Sequence, residues 1–137
     1  MSGPFKILWV DDEMVFLETF EEALTEEGLH VDFVSSVDDA IDMLSDDRVA
    51  YDLIIWDMSM PPGRTFASRL DTDGGLTTGR AFLDVVKRRR PGIKTLLFTN
   101  FRDLLPKWNL PEQGQFAAAK ADYTPSKFVQ AVKRLMG

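Results

Sequence analysis

The stretch FKILWVDDEM, residues 5–14, joins a continuous apolar run to three adjacent acids. A short, continuous apolar run is typical of a strand that is buried on both faces of a parallel sheet. Asp11, Asp12 and Glu13 repel one another, and the repulsion grows where burial lowers the effective dielectric. The stretch therefore predicts a buried strand whose carboxyl end opens onto a charged site.

The rest of the chain alternates between similar apolar runs and amphipathic segments. Apolar residues three or four positions apart predict helices between the strands. The last helix is predicted to begin at Thr124 and Pro125, because threonine is a favoured N-cap and proline a favoured first helical residue. The predicted strands are 5–10, 30–34, 52–57, 93–100 and 115–120, and the predicted helices are 14–27, 37–46, 79–90 and one from 125 onward.

Strands that alternate with helices predict an α/β fold, with a doubly wound parallel sheet of five strands and helices on both faces. The sequence contains no internal repeat, no low-complexity segment and no linker. We therefore expect a single domain over residues 1–137, with a core at about 5–136 and a long loop at 58–78.

The composition excludes several classes of function. The chain has no cysteine, so disulfides, thiolate metal sites and a cysteine nucleophile are excluded. It lacks a signal peptide and any apolar run long enough to span a bilayer, so we expect a cytoplasmic protein without a membrane partner. The net charge of −6 argues against direct nucleic-acid binding. The basic run at 87–90 is interpreted as the end of a helix, where cations interact favourably with the helix dipole.

Polar residues stand at the carboxyl ends of four of the five predicted strands. The first strand ends in Asp11 and Asp12, the third in Asp57, the fourth in Thr99 and the fifth in Lys120. The carboxyl ends of parallel strands meet at one edge of the sheet, so these side chains should lie close together. Oxygen-only donors suit Mg²⁺, which would offset the repulsion between the acids. A carboxylate beside Mg²⁺ can act as a nucleophile and form an aspartyl-phosphate, which Lys120 would neutralise and Thr99 would hydrogen-bond.

This set of residues resembles the receiver domain of two-component response regulators, from Phe5 to Leu135. The resemblance implies the strand order 2-1-3-4-5 and a signalling switch without an enzymatic substrate of its own. It also implies phosphoryl transfer from a histidine kinase or a histidine phosphotransfer protein, and an unknown downstream protein. The implied site consists of the phosphoacceptor Asp57, the Mg²⁺ ligands Asp12, Asp57 and the Ser59 backbone carbonyl, Asp11 acting on the metal through water, and the phosphoryl-binding residues Thr99 and Lys120.

Four features depart from the family pattern. The loop at 58–78 is much longer than the usual connections of about 2–6 residues in α/β units, and Gly79 takes the place of the glycine that opens the third helix. Asn100 stands where the family has a small residue, and we expect it to narrow access to the phosphoacceptor. Ala117 replaces the usual aromatic residue. The prolines within 101–114 predict a short or distorted fourth helix.

Two other functions remain open. A degenerate receiver would act only as a protein-binding module, independent of phosphorylation. A phosphatase resembling the haloacid dehalogenase group would work through an aspartyl-phosphate, but the second acid that such enzymes need two residues after Asp57 is replaced by Ser59.

Several other residues are predicted to be structural. Glu13, Asp38 and Asp39 are interpreted as helix N-caps or solvated loop residues, which are the most frequent roles for acids at strand ends. Trp9 and Trp56 are predicted to lie in the core.

Overall fold

The computed structural model describes residues 5–66, 78–100 and 115–136. Five parallel strands form one sheet in the order β2-β1-β3-β4-β5, as the sequence analysis predicted. The strands are β1 (Lys6–Val10), β2 (His30–Val34), β3 (Leu53–Trp56), β4 (Lys94–Thr99) and β5 (Gln115–Ala119).

Within the described residues, four helices and a short 3-10 turn connect or follow these strands. The predicted fourth helix of the family, within 101–114, lies outside the described residues. Among the helices that the structure describes, none is both long and apolar enough to cross a membrane. The helices are α1 (Met14–Glu26), α2 (Val37–Leu44), α3 (Thr78–Arg89) and α4 (Pro125–Met136), and the 3-10 turn covers Lys120–Asp122.

The sheet is covered on both faces, which explains why its central strands are apolar without interruption. Successive side chains of a strand point to opposite faces. Trp9 points to the face covered by α1 and α4, where its ring centroid lies 5.2 Å from that of Phe128. Trp56 points to the face covered by α2 and α3. Both tryptophans are almost fully buried, which confirms the prediction that they are core residues.

The ends of two helices depend on specific hydrogen bonds. The Thr124 hydroxyl accepts a hydrogen bond from the Lys127 backbone N–H at 3.2 Å, so Thr124 is the N-cap that the sequence predicted. Arg90 follows α3 and donates to the backbone carbonyl oxygens of Leu44, Asp46 and Val49 at 2.8 to 3.1 Å. The last residue of the basic run therefore satisfies carbonyl groups at and beyond the end of α2.

The first part of the long loop is held against α2 by Asp38. The Asp38 carboxylate accepts hydrogen bonds from the backbone N–H groups of Arg64 and Thr65, at 2.9 and 3.0 Å, and from the Thr65 hydroxyl. Phe66 is buried in the core next to this contact. The prediction that Asp38 is a solvated residue or an N-cap was wrong, because Ser36 caps α2 and Asp38 binds the loop.

Candidate functional site

The site lies at the carboxyl ends of four neighbouring strands. Asp11 follows β1, Asp57 follows β3, Thr99 ends β4 and Lys120 follows β5. All four are buried, with exposed fractions of 0% for Asp11, 3% for Asp57, 0% for Thr99 and 9% for Lys120. Burial of ionisable groups is costly unless they are paired, so the contacts between them decide the geometry of the site.

The Lys120 ammonium is the centre of the cluster. Its Nζ atom lies 2.7 Å from Asp11 Oδ2, 2.7 Å from Glu13 Oε1 and 2.9 Å from Asp57 Oδ2. An ammonium group has three N–H donors, and three carboxylates surround it here. Three negative charges around one positive charge leave a local net charge of two negative units at this edge of the sheet.

The position of Asp57 is fixed by its own backbone and by α3. Its Oδ1 atom accepts a hydrogen bond from the Met58 N–H at 2.7 Å, while Oδ2 accepts one from Lys120. Gly79, in the first turn of α3, donates its N–H to the Met58 carbonyl at 2.8 Å. A Cβ atom at Gly79 would lie only 2.0 Å from the Asp57 carbonyl oxygen, so only glycine permits this approach.

Burial and charge act in opposite directions on these groups. Burial raises the pKa of Asp11 to about 6, and the opposing effect of the Lys120 charge is smaller. Burial lowers the pKa of Lys120, but the charges of Asp11 and Asp57 and the hydrogen bonds of the cluster outweigh burial and raise the pKa above its ordinary value. Lys120 is therefore charged at neutral pH and serves as the buried counter-charge of the acids.

Glu13 belongs to this cluster, which the sequence analysis missed. Its Oε1 atom accepts hydrogen bonds from Lys120 Nζ at 2.7 Å and from Asn100 Nδ2 at 2.6 Å. Glu13 occupies the N-cap position of α1, but its side chain makes no capping bond. The predicted N-cap position is therefore confirmed, but the side chain bonds to Lys120 and Asn100 instead of capping the helix. Asn100, which follows Thr99, was the available signal, because it places an amide donor beside the predicted acids.

Asp12 lies apart from the tightest group of acids. Carboxylate oxygens of Asp11, Glu13 and Asp57 all lie within 4.8 Å of one another, whereas Asp12 is exposed and is not part of this group. Its carboxylate is nevertheless partly shielded from water, and this desolvation, followed by the charges of Asp57 and Glu13, raises its pKa. Asp12 is thus close enough to interact electrostatically with Asp57.

The remaining predicted positions lie around this centre. Ser59 is half-buried, two residues after Asp57. In β5, Ala117 packs towards α2 and α3, while Phe116 packs towards α1 and α4. The resemblance implies an aromatic side chain at position 117, which is alanine here. Phe116 does not replace it, because Phe116 lies on the opposite face of the sheet.

The family model for the response regulator receiver domain matches residues 7–107 of the chain. Comparison with curated protein sequences gave no match. A response regulator receiver protein from Sinorhizobium medicae is 23% identical, with a TM-score of 0.70, over 96% of this chain and 94% of the other.

Two further solved structures have a similar fold. The chemotaxis response regulator CheY4 of Vibrio cholerae is 20% identical, with a TM-score of 0.72, over 96% of this chain and 98% of the other. The response regulator TrrA of Thermotoga maritima, solved in complex with Mg²⁺ and BeF, is 23% identical, with a TM-score of 0.66, over 96% of this chain and 98% of the other. At these identities the structures establish a common fold.

Proposed function

The chain belongs to the response regulator receiver domain family of two-component signalling, and we propose that Asp57 is its phosphoacceptor. The observation that carries the proposal is the burial of Asp57 between Lys120 and the Met58 N–H at the carboxyl edge of the sheet. Hydrogen bonds to both carboxylate oxygens fix the orientation of the Asp57 side chain, and a nucleophile held in a defined orientation reacts more readily.

The proposed reaction is a simple displacement at phosphorus. One Asp57 carboxylate oxygen forms a bond to the phosphorus atom, while the bond between phosphorus and the donor atom breaks and the donor keeps the electron pair. The donor is the phosphorylated imidazole of a histidine kinase or of a histidine phosphotransfer protein, or a small acyl phosphate. The product is an aspartyl-phosphate on this chain.

The residues around Asp57 fit a magnesium ion. The oxygen atoms of Asp11, Glu13 and Asp57 are hard ligands within 4.8 Å of one another, and a divalent cation would balance the net charge of two negative units that these acids and Lys120 carry together. We propose the ligand set implied by the family: Asp12, Asp57 and the Ser59 carbonyl, with Asp11 acting through water. When bound, Mg²⁺ stabilises the negative charge that develops on the transferred phosphoryl group.

Two other residues would bind the product. Lys120 would pair with a phosphoryl oxygen, because its ammonium already lies 2.9 Å from Asp57 Oδ2. The Thr99 hydroxyl, at the end of the adjacent strand β4, would hydrogen-bond another phosphoryl oxygen. Phosphorylation adds charge and hydrogen-bond acceptors, which would shift the protein between two conformations recognised by a downstream protein.

Phosphorylation by acetyl phosphate with Mg²⁺ tests the proposal directly. Mass spectrometry should show one phosphoryl group on the wild-type chain and none on the Asp57→Asn variant. The matched control is Asp47→Asn, which removes an exposed acid remote from the site and should leave phosphorylation unchanged. A folded wild-type protein that no donor phosphorylates would contradict the proposal and would leave a protein-binding module as the alternative.

A further inference from the structure

The contacts of Lys120 raise a problem for phosphoryl binding. Its Nζ atom lies 2.7 to 2.9 Å from carboxylate oxygens of Asp11, Glu13 and Asp57, and Glu13 and Asp57 accept its hydrogen bonds. A phosphoryl oxygen therefore has room at the ammonium only if one of these three carboxylates moves. Asp57 remains beside Lys120 after phosphorylation, because the phosphoryl group is attached to its carboxylate. The carboxylate that gives way must then be Asp11 or Glu13.

Exposure distinguishes these two carboxylates. The side chain of Asp11 is 0% exposed, whereas that of Glu13 is 34% exposed. Asp11 Oδ1 also accepts the Glu13 backbone N–H at 2.9 Å, which holds it in place. If Asp11 moved, a buried charge would lose its counter-charge, which is costly, whereas Glu13 can turn towards water. Glu13 is therefore the partner that Lys120 can release.

We propose that Glu13 is a positioning residue for phosphoryl transfer: in the unphosphorylated protein its carboxylate occupies the side of Lys120 that a phosphoryl oxygen takes after transfer. Asn100 holds it there, because its amide donates to the same Glu13 Oε1 atom at 2.6 Å. Glu13 thus competes with the phosphoryl group for one ammonium. This inference rests on the proposed role of Asp57 as the phosphoacceptor.

The competition has a predictable consequence for variants. Glu13→Gln removes the charge of the competing group and keeps its shape, so the phosphoryl group should displace it more easily. We expect the variant to accept phosphate faster, and to bind beryllofluoride, a phosphoryl analogue, more tightly. The expected change is about three- to tenfold, the range for one ordinary intramolecular hydrogen bond, because Glu13 is partly exposed and the contact is weakened by solvent. Asn100→Ala removes one of the two donors to Glu13 and should act in the same direction with a smaller effect.

The experiment compares the wild-type chain, Glu13→Gln, Asn100→Ala and the matched control Glu18→Gln. Glu18 is an exposed acid on the same helix, so its variant has the same change in net charge outside the site. The rate of phosphorylation by acetyl phosphate is measured by mass spectrometry. The dissociation constant of beryllofluoride, at saturating Mg²⁺, is measured through the intrinsic tryptophan fluorescence, to which Trp56, the residue before Asp57, contributes.

The outcomes separate this inference from the proposed function. Faster phosphorylation and tighter beryllofluoride binding in Glu13→Gln, with Glu18→Gln unchanged, support the competition. No change in Glu13→Gln, while the wild type is phosphorylated, overturns it. Slower phosphorylation with weaker Mg²⁺ binding in a titration without beryllofluoride also overturns it, because Glu13 would then act as a metal ligand. A folded wild type that neither accepts phosphate nor binds beryllofluoride refutes the proposed function itself.

Discussion

Replacement of Lys120 by methionine tests whether the buried ammonium holds the acids of the site together. The ammonium contacts three carboxylates, and two of them, Asp11 and Asp57, have side chains that are 0% and 4% exposed. Removing one partner of a buried charge pair costs about 3–5 kcal/mol of folding free energy, because the remaining charge is left uncompensated. The variant should therefore be clearly less stable than the wild type in the absence of divalent cations.

The expected loss is reduced because Asp11 can take up a proton. Its pKa is already raised to about 6, so neutralising it at pH 7 costs about 1.4 kcal/mol, and less once Lys120 no longer lowers this pKa. We therefore expect the free energy of unfolding of Lys120→Met to fall by about 2–3 kcal/mol, below the usual range for a broken buried pair. Mg²⁺ should recover part of this loss, because a ligand that binds only the folded state stabilises it.

Urea unfolding in the presence of EDTA, followed by tryptophan fluorescence, measures this difference. Lys127→Met is the matched control, since Lys127 is exposed on α4, and a surface substitution of this kind changes stability by less than about 0.5 kcal/mol. If Lys120→Met proves as stable as Lys127→Met, the ammonium does not compensate the buried acids, and the electrostatic account of the site is refuted.

Two further substitutions and one titration test other contacts of the fold. Gly79→Ala should lower the free energy of unfolding by about 1–3 kcal/mol, the usual cost of overpacking, because the new methyl group overlaps backbone atoms; urea unfolding measures it. Arg90→Met should cost about 1–3 kcal/mol in the same assay, since three carbonyl oxygens lose a charged donor, whereas exposed Arg89→Met should cost little. The hydrogen bonds from Thr65 lower the pKa of Asp38, so the NMR titration of Asp38 should have a midpoint below the ordinary aspartate value. The stability that ionised Asp38 contributes is fully present above its pKa in the unfolded chain. This contribution is lost as the pH falls through its pKa in the folded protein.

Each of these three predictions has a result that contradicts it. For Gly79→Ala the comparison is the wild type, since Gly79 has no positive φ and only the close approach penalises a methyl group there. A Gly79→Ala variant as stable as the wild type would refute the close approach at Gly79. If Arg90→Met is as stable as the wild type, the hydrogen bonds of Arg90 at the end of α2 do not stabilise the fold. An ordinary titration midpoint for Asp38 would show that it does not hold the loop.

The arrangement of strands and helices could be predicted from local patterns. Continuous apolar runs identified the buried strands, and the Thr124-Pro125 pair fixed the start of α4, because these features depend on residues close together in the chain. The place of Asp11, Asp57, Thr99 and Lys120 at one edge followed from the sheet being parallel.

The partners within the site could not be predicted in the same way. Glu13 lies 107 residues from Lys120 and 87 from Asn100 in the sequence. Its hydrogen bonds to these residues depend on side-chain rotamers and on which of the neighbouring acids lie within reach of Lys120. Asp38 likewise looked like a helix-cap residue until the fold placed the turn at Gly63 beside it.

The sequence by itself determined the alternation of strands and helices and the acidic edge of the sheet, because apolar runs and helical spacing are local patterns and the carboxyl ends of parallel strands lie at one edge. The strand order was implied by the resemblance to the receiver family. Only the tertiary structure decided that one lysine faces three carboxylates, that Glu13 is the most exposed of them, and that Gly79 touches the backbone of Asp57. The physical reason is that hydrogen bonds and ion pairs act over a few ångströms, so they depend on how distant segments pack together.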